Sequence, residues 1–141
     1  MSKLKLTPFV RFESGKCTEA MNFYKGIFGG KLTLMTVKET PMSKDFPAEK
    51  QALVMHSYLD SGLVAFSGSD MMRDKLQVGD NVGMSLECSS QKEIDDIFAK
   101  LAEGGDVFMK PEESFWGAIF GMVTDKYGVE WMLNFQAKPM K

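Results

Sequence analysis

Two octapeptides, FYKGIFGG at 23–30 and FAKLAEGG at 98–105, share one pattern and end in the same double glycine. Each closes an amphipathic stripe. In the first, Ala20, Phe23, Tyr24, Ile27 and Phe28 recur at helical spacing; in the second, Ile94, Ile97, Phe98, Leu101 and Ala102 do so. The glycine pairs stop both helices, as left-handed C-caps do. Ser90-Gln91-Lys92-Glu93 reads as a capping box, with Ser90 accepting from the Glu93 amide. A strand precedes each helix: LKLTPFVRF at 4–12, followed by a turn at Glu13-Ser14-Gly15, and NVGMSLEC at 81–88. Three extended runs follow each double glycine. They are Lys31–Val37, Ala52–Asp60 and Leu63–Ser67 in the first half, and Val107–Lys110, Trp116–Thr124 and Val129–Phe135 in the second. The chain is therefore βαβββ written twice, and a tandem supersecondary unit constrains the fold more than any single segment. The expectation is an α+β domain of two modules, about 4–68 and 81–135, joined by a polar linker near Ser69–Asp80.

One helix covers one face of a four-stranded sheet, so each sheet keeps a second face that must find cover. Two such units can curve their free faces around a cavity. Strand alternation then divides the residues. Val82, Met84 and Leu86 are expected under the helix; Asn81, Ser85 and Glu87, with Thr7, Phe9 and Arg11, are expected on the concave side. The insert Lys38–Lys50, with Pro41 and Pro47, is too long for a hairpin turn and reads either as a flap over that cavity or as a surface loop.

Composition excludes several classes. With 141 residues, a net charge of −2 and 26% charged residues, nothing favours a nucleic acid or an anionic membrane. No run of about 18 apolar residues exists, and MSKLKLTPF lacks a secretory core, so the expected location is the cytoplasm. Cys17 and Cys88 lack metal spacing and read as reduced thiols. Twelve methionines suit either core filling or an adaptable pocket.

The stretch FWGAIFGMVTDKYGVEWMLN, Phe115 to Asn134, is a hairpin with Gly128 at its turn. With this hairpin and the duplication, the chain resembles the PhnB-like branch of the vicinal oxygen chelate superfamily, the glyoxalase/bleomycin-resistance fold, over nearly all of 4–135. The resemblance implies curved mixed sheets around a cavity, a small-molecule ligand and a homodimer. Superfamily members that use a metal hold it with one side chain from each of four strands, usually His, Gln or Glu. Carried over by position, these become Thr7 or a neighbour of it (the loop at Ser14-Gly15 carries an insertion), Phe66 (four residues after Gly62), Asn81 and Met132 (four after Gly128). That set does not hold a catalytic divalent ion, so no metal and no cofactor are expected.

His56, the one histidine, reads as a general base in the cavity or as a structural imidazole bonded to a neighbour. Glu87 reads as an acid or base, or as the partner of Arg11. Phe9, Arg11, Phe66, Asn81, Trp116 and Met132 complete the expected ligand set; Trp116 would stack on a flat ligand, belong to the core or form part of a dimer contact, and Trp131 would pack under a helix. No G-x-G-x-x-G, P-loop or G-x-S-x-G occurs. Some PhnB-like proteins carry a demethylubiquinone methyltransferase label, yet no glycine-rich loop for S-adenosylmethionine opens this chain. Three classes remain: a metal-free enzyme using His56 or Glu87, a ligand-sequestering protein of the bleomycin-resistance kind, and a metal-dependent lyase or dioxygenase with atypical ligands.

Overall fold

A computed structural model describes residues 3–72 and 75–136, which divide into two compact units, Met1–Gln77 and Val78–Lys141. In the first, β1 (Phe9–Phe12), α1 (Cys17–Phe28), β2 (Lys31–Thr36), β3 (Val54–Asp60) and β4 (Ala65–Asp70) follow in chain order. The sheet runs β1-β4-β3-β2, with β1 parallel to β4 and the other pairs antiparallel. Helix α1 buries Cys17, Ala20, Met21 and Tyr24 on the sheet. Tyr24 meets Phe66 edge-on at 5.2 Å and lies 6.2 Å from Phe12. Burying side chains of this size contributes about 1.5–3 kcal/mol each.

Lys16, at the N-cap of α1, makes no side-chain cap bond. The buried Asp70 carboxylate takes that role from the end of β4. Its Oδ1 accepts from the Gly15 and Cys17 amides, both at 2.9 Å, and its Oδ2 accepts from the Val54 amide at 2.8 Å. One carboxylate thus ties the helix start to β3 and β4.

The insert between β2 and β3 winds through three single 3₁₀ turns at 37–39, 43–45 and 48–50. Gln51 Nε2 donates to the Ser43 and Phe46 carbonyls, and Lys50 Nζ donates to the Met72 carbonyl at 2.6 Å. The insert is therefore a loop bonded within itself and to the end of the first unit.

The second unit repeats the plan with β5 (Met84–Cys88), α2 (Gln91–Ala102), β6 (Asp106–Glu113), β7 (Ile119–Thr124) and β8 (Glu130–Phe135), ordered β5-β8-β7-β6. Ser90 caps α2, accepting from the Glu93 amide at 3.1 Å. The return bond goes one residue earlier than a capping box puts it: Glu93 accepts from the Ser89 amide and hydroxyl. Ile94, Phe98 and Leu101 on the helix, and Trp131 and Leu133 on β8, are buried in this unit's core. Trp131 occupies the helix-side position expected for it.

The two β-hairpins that end the units differ in their turns. In the second, Asp125 and Val129 flank a three-residue loop, and Gly128 takes the left-handed position at its end, φ +88°. In the first, Ser61 and Val64 flank a two-residue loop, and Gly62 stands at its start, φ +91°. Among the described residues, no helix is long and apolar enough to cross a membrane.

Candidate functional site

Register separates the two faces of the first sheet. Phe66, Leu59, Ser57 and Gly68 face α1; a Cβ on Gly68 would meet Phe12, Met21 and Ser57. The opposite, open face is built from the alternate positions. Phe9 pairs with Ser67 and Ser67 with Tyr58; Arg11 pairs with Ser69, and Met35 with His56. Phe9, Arg11 and His56 therefore share one face, and His56 lies 6.4 Å from Phe9 between ring centroids. The Arg11 guanidinium sits over the Phe9 ring at 5.2 Å and has no carboxylate partner among the described residues. His56 is exposed, and its ring neighbour is Phe9; no carboxylate among the described residues pairs with it. At the other end of the row, Lys5 Nζ donates to Tyr58 Oη at 3.2 Å. That phenol holds the Lys5 pKa above its ordinary value.

Phe66 is not on this face. It is 1% exposed beneath Tyr24. The expectation counted the same number of residues from both turn glycines, and the turns differ. Counting instead from the residue that closes each turn, Val64 and Val129, places Ser67 where Met132 stands. Ser67 was the residue sequence reasoning missed, and the signal that would have found it is the length of the Ser61–Val64 turn; Tyr58 shares the face of His56, as strand alternation groups them, but was not among the expected site residues.

The second unit has its own open face. Ser85 pairs with Met132, Glu87 with Asn134, Met122 with Met132 and Phe120 with Asn134. Glu87 is bonded there, its Oε2 accepting from Asn134 Nδ2 at 3.0 Å. Asn81 and Val82 belong to no strand, because β5 begins at Met84; both are exposed in the loop before it, so Val82 is not under α2. Trp116 precedes β7 rather than opening it. It stands in the β6–β7 turn, edge-on to Phe115 at 4.9 Å and to Phe120 at 5.4 Å. A shallow depression of about 340 Å³ at the turn end of this unit is lined by Val78, Gly79, Asp80, Thr124, Gly128 and Glu130, none of them an expected site residue.

The donor set does not fit a metal. With Ser67 in place of Phe66, the four positions expected from the resemblance become Thr7, Ser67, Asn81 and Met132. Neutral hydroxyls, an amide and a thioether supply neither the charge nor the softness that divalent ions need. Among the described residues, no three His, Cys, Asp or Glu side chains come together in a metal-binding group. S-adenosylmethionine fares no better. The β1–α1 loop has one glycine, and its Gly15 and Cys17 amides are already taken by Asp70. Both cysteines are free and buried. Burial is the main cause that pushes each thiol up to about 11, with Glu93 and Glu87 adding to it at Cys88.

Comparison with known proteins follows this geometry. The family described as 3-demethylubiquinone-9 3-methyltransferase matches residues 4–134. Protein YjdN of Escherichia coli K12 is 34% identical over 93% of this chain and 95% of its own length. Protein PA1353 of Pseudomonas aeruginosa superposes with a TM-score of 0.80 at 32% identity, covering 94% of this chain and 98% of that one. A PhnB protein from Bacillus cereus, itself described as a 3-demethylubiquinone-9 3-methyltransferase, gives a TM-score of 0.74 at 29% identity over 94% and 99%. A glyoxalase/bleomycin resistance protein/dioxygenase family enzyme from Burkholderia phytofirmans shares the fold, with a TM-score of 0.57 at 11% identity over 90% and 95%.

Proposed function

The chain belongs to the PhnB-like family of the glyoxalase/bleomycin-resistance superfamily, and on that premise we propose that it binds a small organic molecule on the open face of its first sheet, without a metal. One observation carries the reading. Phe12, Leu59 and Phe66 fill the helix side of the first sheet, and the other side gathers Phe9, Arg11, His56 and Tyr58, apolar rings beside polar heads. Pockets combine apolar walls with a few polar groups in this way. Glu87, Asn134, Met132 and Trp116 are the corresponding candidates in the second unit. The 3-demethylubiquinone methyltransferase description does not extend to a methyl transfer here, since the β1–α1 loop does not suit the methyl donor.

Within the site, His56 is the proposed general base, an exposed imidazole with no competing hydrogen bond among the described residues, and Glu87 is the second candidate. Sequestration without chemistry is the alternative reading, and it rests on the same rings. The proposed location is cytoplasmic and the proposed assembly is a homodimer. The test is a thermal-shift screen against small organic molecules. A hit should raise the Tm of the wild type but not that of Phe9→Ala, whose own unliganded Tm stays near wild type because the ring is 46% exposed. Equal shifts in both proteins would remove the site from this face. If a hit is also turned over, His56→Asn should bind it and fail to convert it; full turnover by that variant would remove His56 as the base and leave Glu87, and binding with no turnover by the wild type would leave sequestration.

A further inference from the structure

The open face of the first sheet is not neutral in chemistry. Lys5, Arg11 and Lys31 are its cations, and Asp60, whose Oδ1 accepts from the Gly62 amide at 3.0 Å, is the acid on its strands. Arg11 is the informative one. A guanidinium usually finds a carboxylate or a set of acceptors; this one has the face of Phe9 and no acid among the described residues.

A second, independent observation lies beside it. Ser67 is 6% exposed, between its cross-strand neighbours Phe9 and Tyr58, and its hydroxyl makes no hydrogen bond among the described residues. No fully buried side-chain oxygen or nitrogen in the described residues lacks a partner. The small exposure that Ser67 retains therefore includes its hydroxyl, which opens onto the ring-lined face. Ser69, the next residue on that face, has its own hydroxyl committed to the Asp70 carbonyl at 3.2 Å. A nearly buried hydroxyl left unbonded is costly unless water or a ligand completes it.

We propose that the ligand of this face is a planar aromatic carboxylate, with its ring against Phe9 and His56, its anionic group on Arg11 and an oxygen bonded by the Ser67 hydroxyl. The inference rests on the binding reading above and narrows it. A carboxylate matches the fork of a guanidinium, which offers two parallel donors. A flat ring matches the exposed Phe9 surface, and the guanidinium already stacked there fixes the edge at which the anion sits.

The test uses the full chain with 2-naphthoate, its neutral isostere 2-naphthamide, acetate and inorganic phosphate, followed by amide NMR titration. Naphthoate should saturate with shifts centred on Phe9, Arg11, His56 and Ser67. Naphthamide should bind at least tenfold more weakly, and acetate and phosphate should displace naphthoate only at far higher concentration. Arg11→Gln should bring naphthoate down to the affinity of naphthamide, and Ser67→Ala should weaken naphthoate several-fold while the fold, read by the remaining amides, persists. Naphthamide binding as tightly as naphthoate at these residues would overturn the anionic class and leave the site standing. Phosphate competing as well as naphthoate would overturn the aromatic part. Shifts confined to other residues for every probe would overturn both this inference and the binding site it rests on.

Discussion

Asp70 in the first unit and Asp125 in the second each tie their own unit together locally, by different wiring. Asp70 gathers three backbone amides at the start of α1 and at β3, whereas Asp125 accepts from the Tyr127 and Val129 amides at 2.8 and 3.2 Å and from Trp131 Nε1 at 2.8 Å. Neither stood out in the sequence, since an aspartate at a strand end looks like any turn residue. Hydrogen bonds to a charged group are worth about 1.5–3 kcal/mol each, and removing one partner strands the others. Asp70→Ala should therefore lower the unfolding free energy by about 3 kcal/mol or more, with Asp70→Asn losing less, as read from urea midpoints. A wild-type midpoint in the alanine variant would mean that water replaces the carboxylate. The thiols carry a pH prediction. Both are held protonated, with pKa raised from 9.0 to about 11, chiefly by burial. A raised folded pKa means that the native state binds the proton more tightly than the unfolded chain. This stabilisation is complete below pH 9 and is lost as pH climbs towards 11. Cys17→Ala should lose less stability than the wild type between pH 9 and 11, and native thiols should alkylate slowly at pH 8. An identical alkaline slope in the variant would contradict the shift at Cys17.

At the scale of elements, the helices and their ends were legible because helical period, double glycine and a serine cap all point the same way at 20–30 and 90–105. Strand existence was legible too, as was the pairing of Trp131 with the helix side. Strand phase in β4 was not. Alternation states which residues share a face but not which face, and the anchor used to decide it, a count from the turn glycine, assumed equal turns. The two-residue loop at Gly62-Leu63 and the three-residue loop at Lys126-Tyr127-Gly128 shift that count by one, which exchanges Phe66 for Ser67. The strand placement of Asn81 was missed for another reason: polar residues flanked by Gly79 and Gly83 continue an alternating pattern without being in a strand. The phase has a direct test. Phe66→Ala empties a fully buried site against Tyr24 and should cost about 3–5 kcal/mol of stability, as aromatic core truncations do. Ser67→Ala, its immediate neighbour, should leave the urea midpoint nearly unchanged and alter ligand binding. The reverse outcome would put Phe66 on the open face.

At the scale of the whole molecule, the duplication makes one fold out of two copies of a unit, yet the copies treat their outer strands differently. Strand β6 is the free edge of its sheet and eight residues long, and Val107, Phe108 and Met109 on it are 45%, 77% and 45% exposed. A long edge carrying apolar side chains invites pairing, and natural proteins blunt or cover such edges. Pro111 and a register irregularity between Met109 and Glu112 blunt the end of β6, and a second irregularity falls between Val107 and Met109, yet all three apolar side chains at 107–109 stay in the open. Exposed apolar residues grouped this way mark interaction sites more than chance does. A second copy of the chain is the simplest cover, because a twofold axis places the same patch on both sides and closes the assembly. The expected result is a species of twice the 15.8 kDa chain mass in light scattering at micromolar concentration. Phe108→Glu should shift it towards the monomer while its circular dichroism stays native, since the ring contributes little to its own unit at 77% exposure. A wild type that stays monomeric at that concentration would refute the dimer. A Phe108→Glu variant that remains fully dimeric would move the interface away from β6.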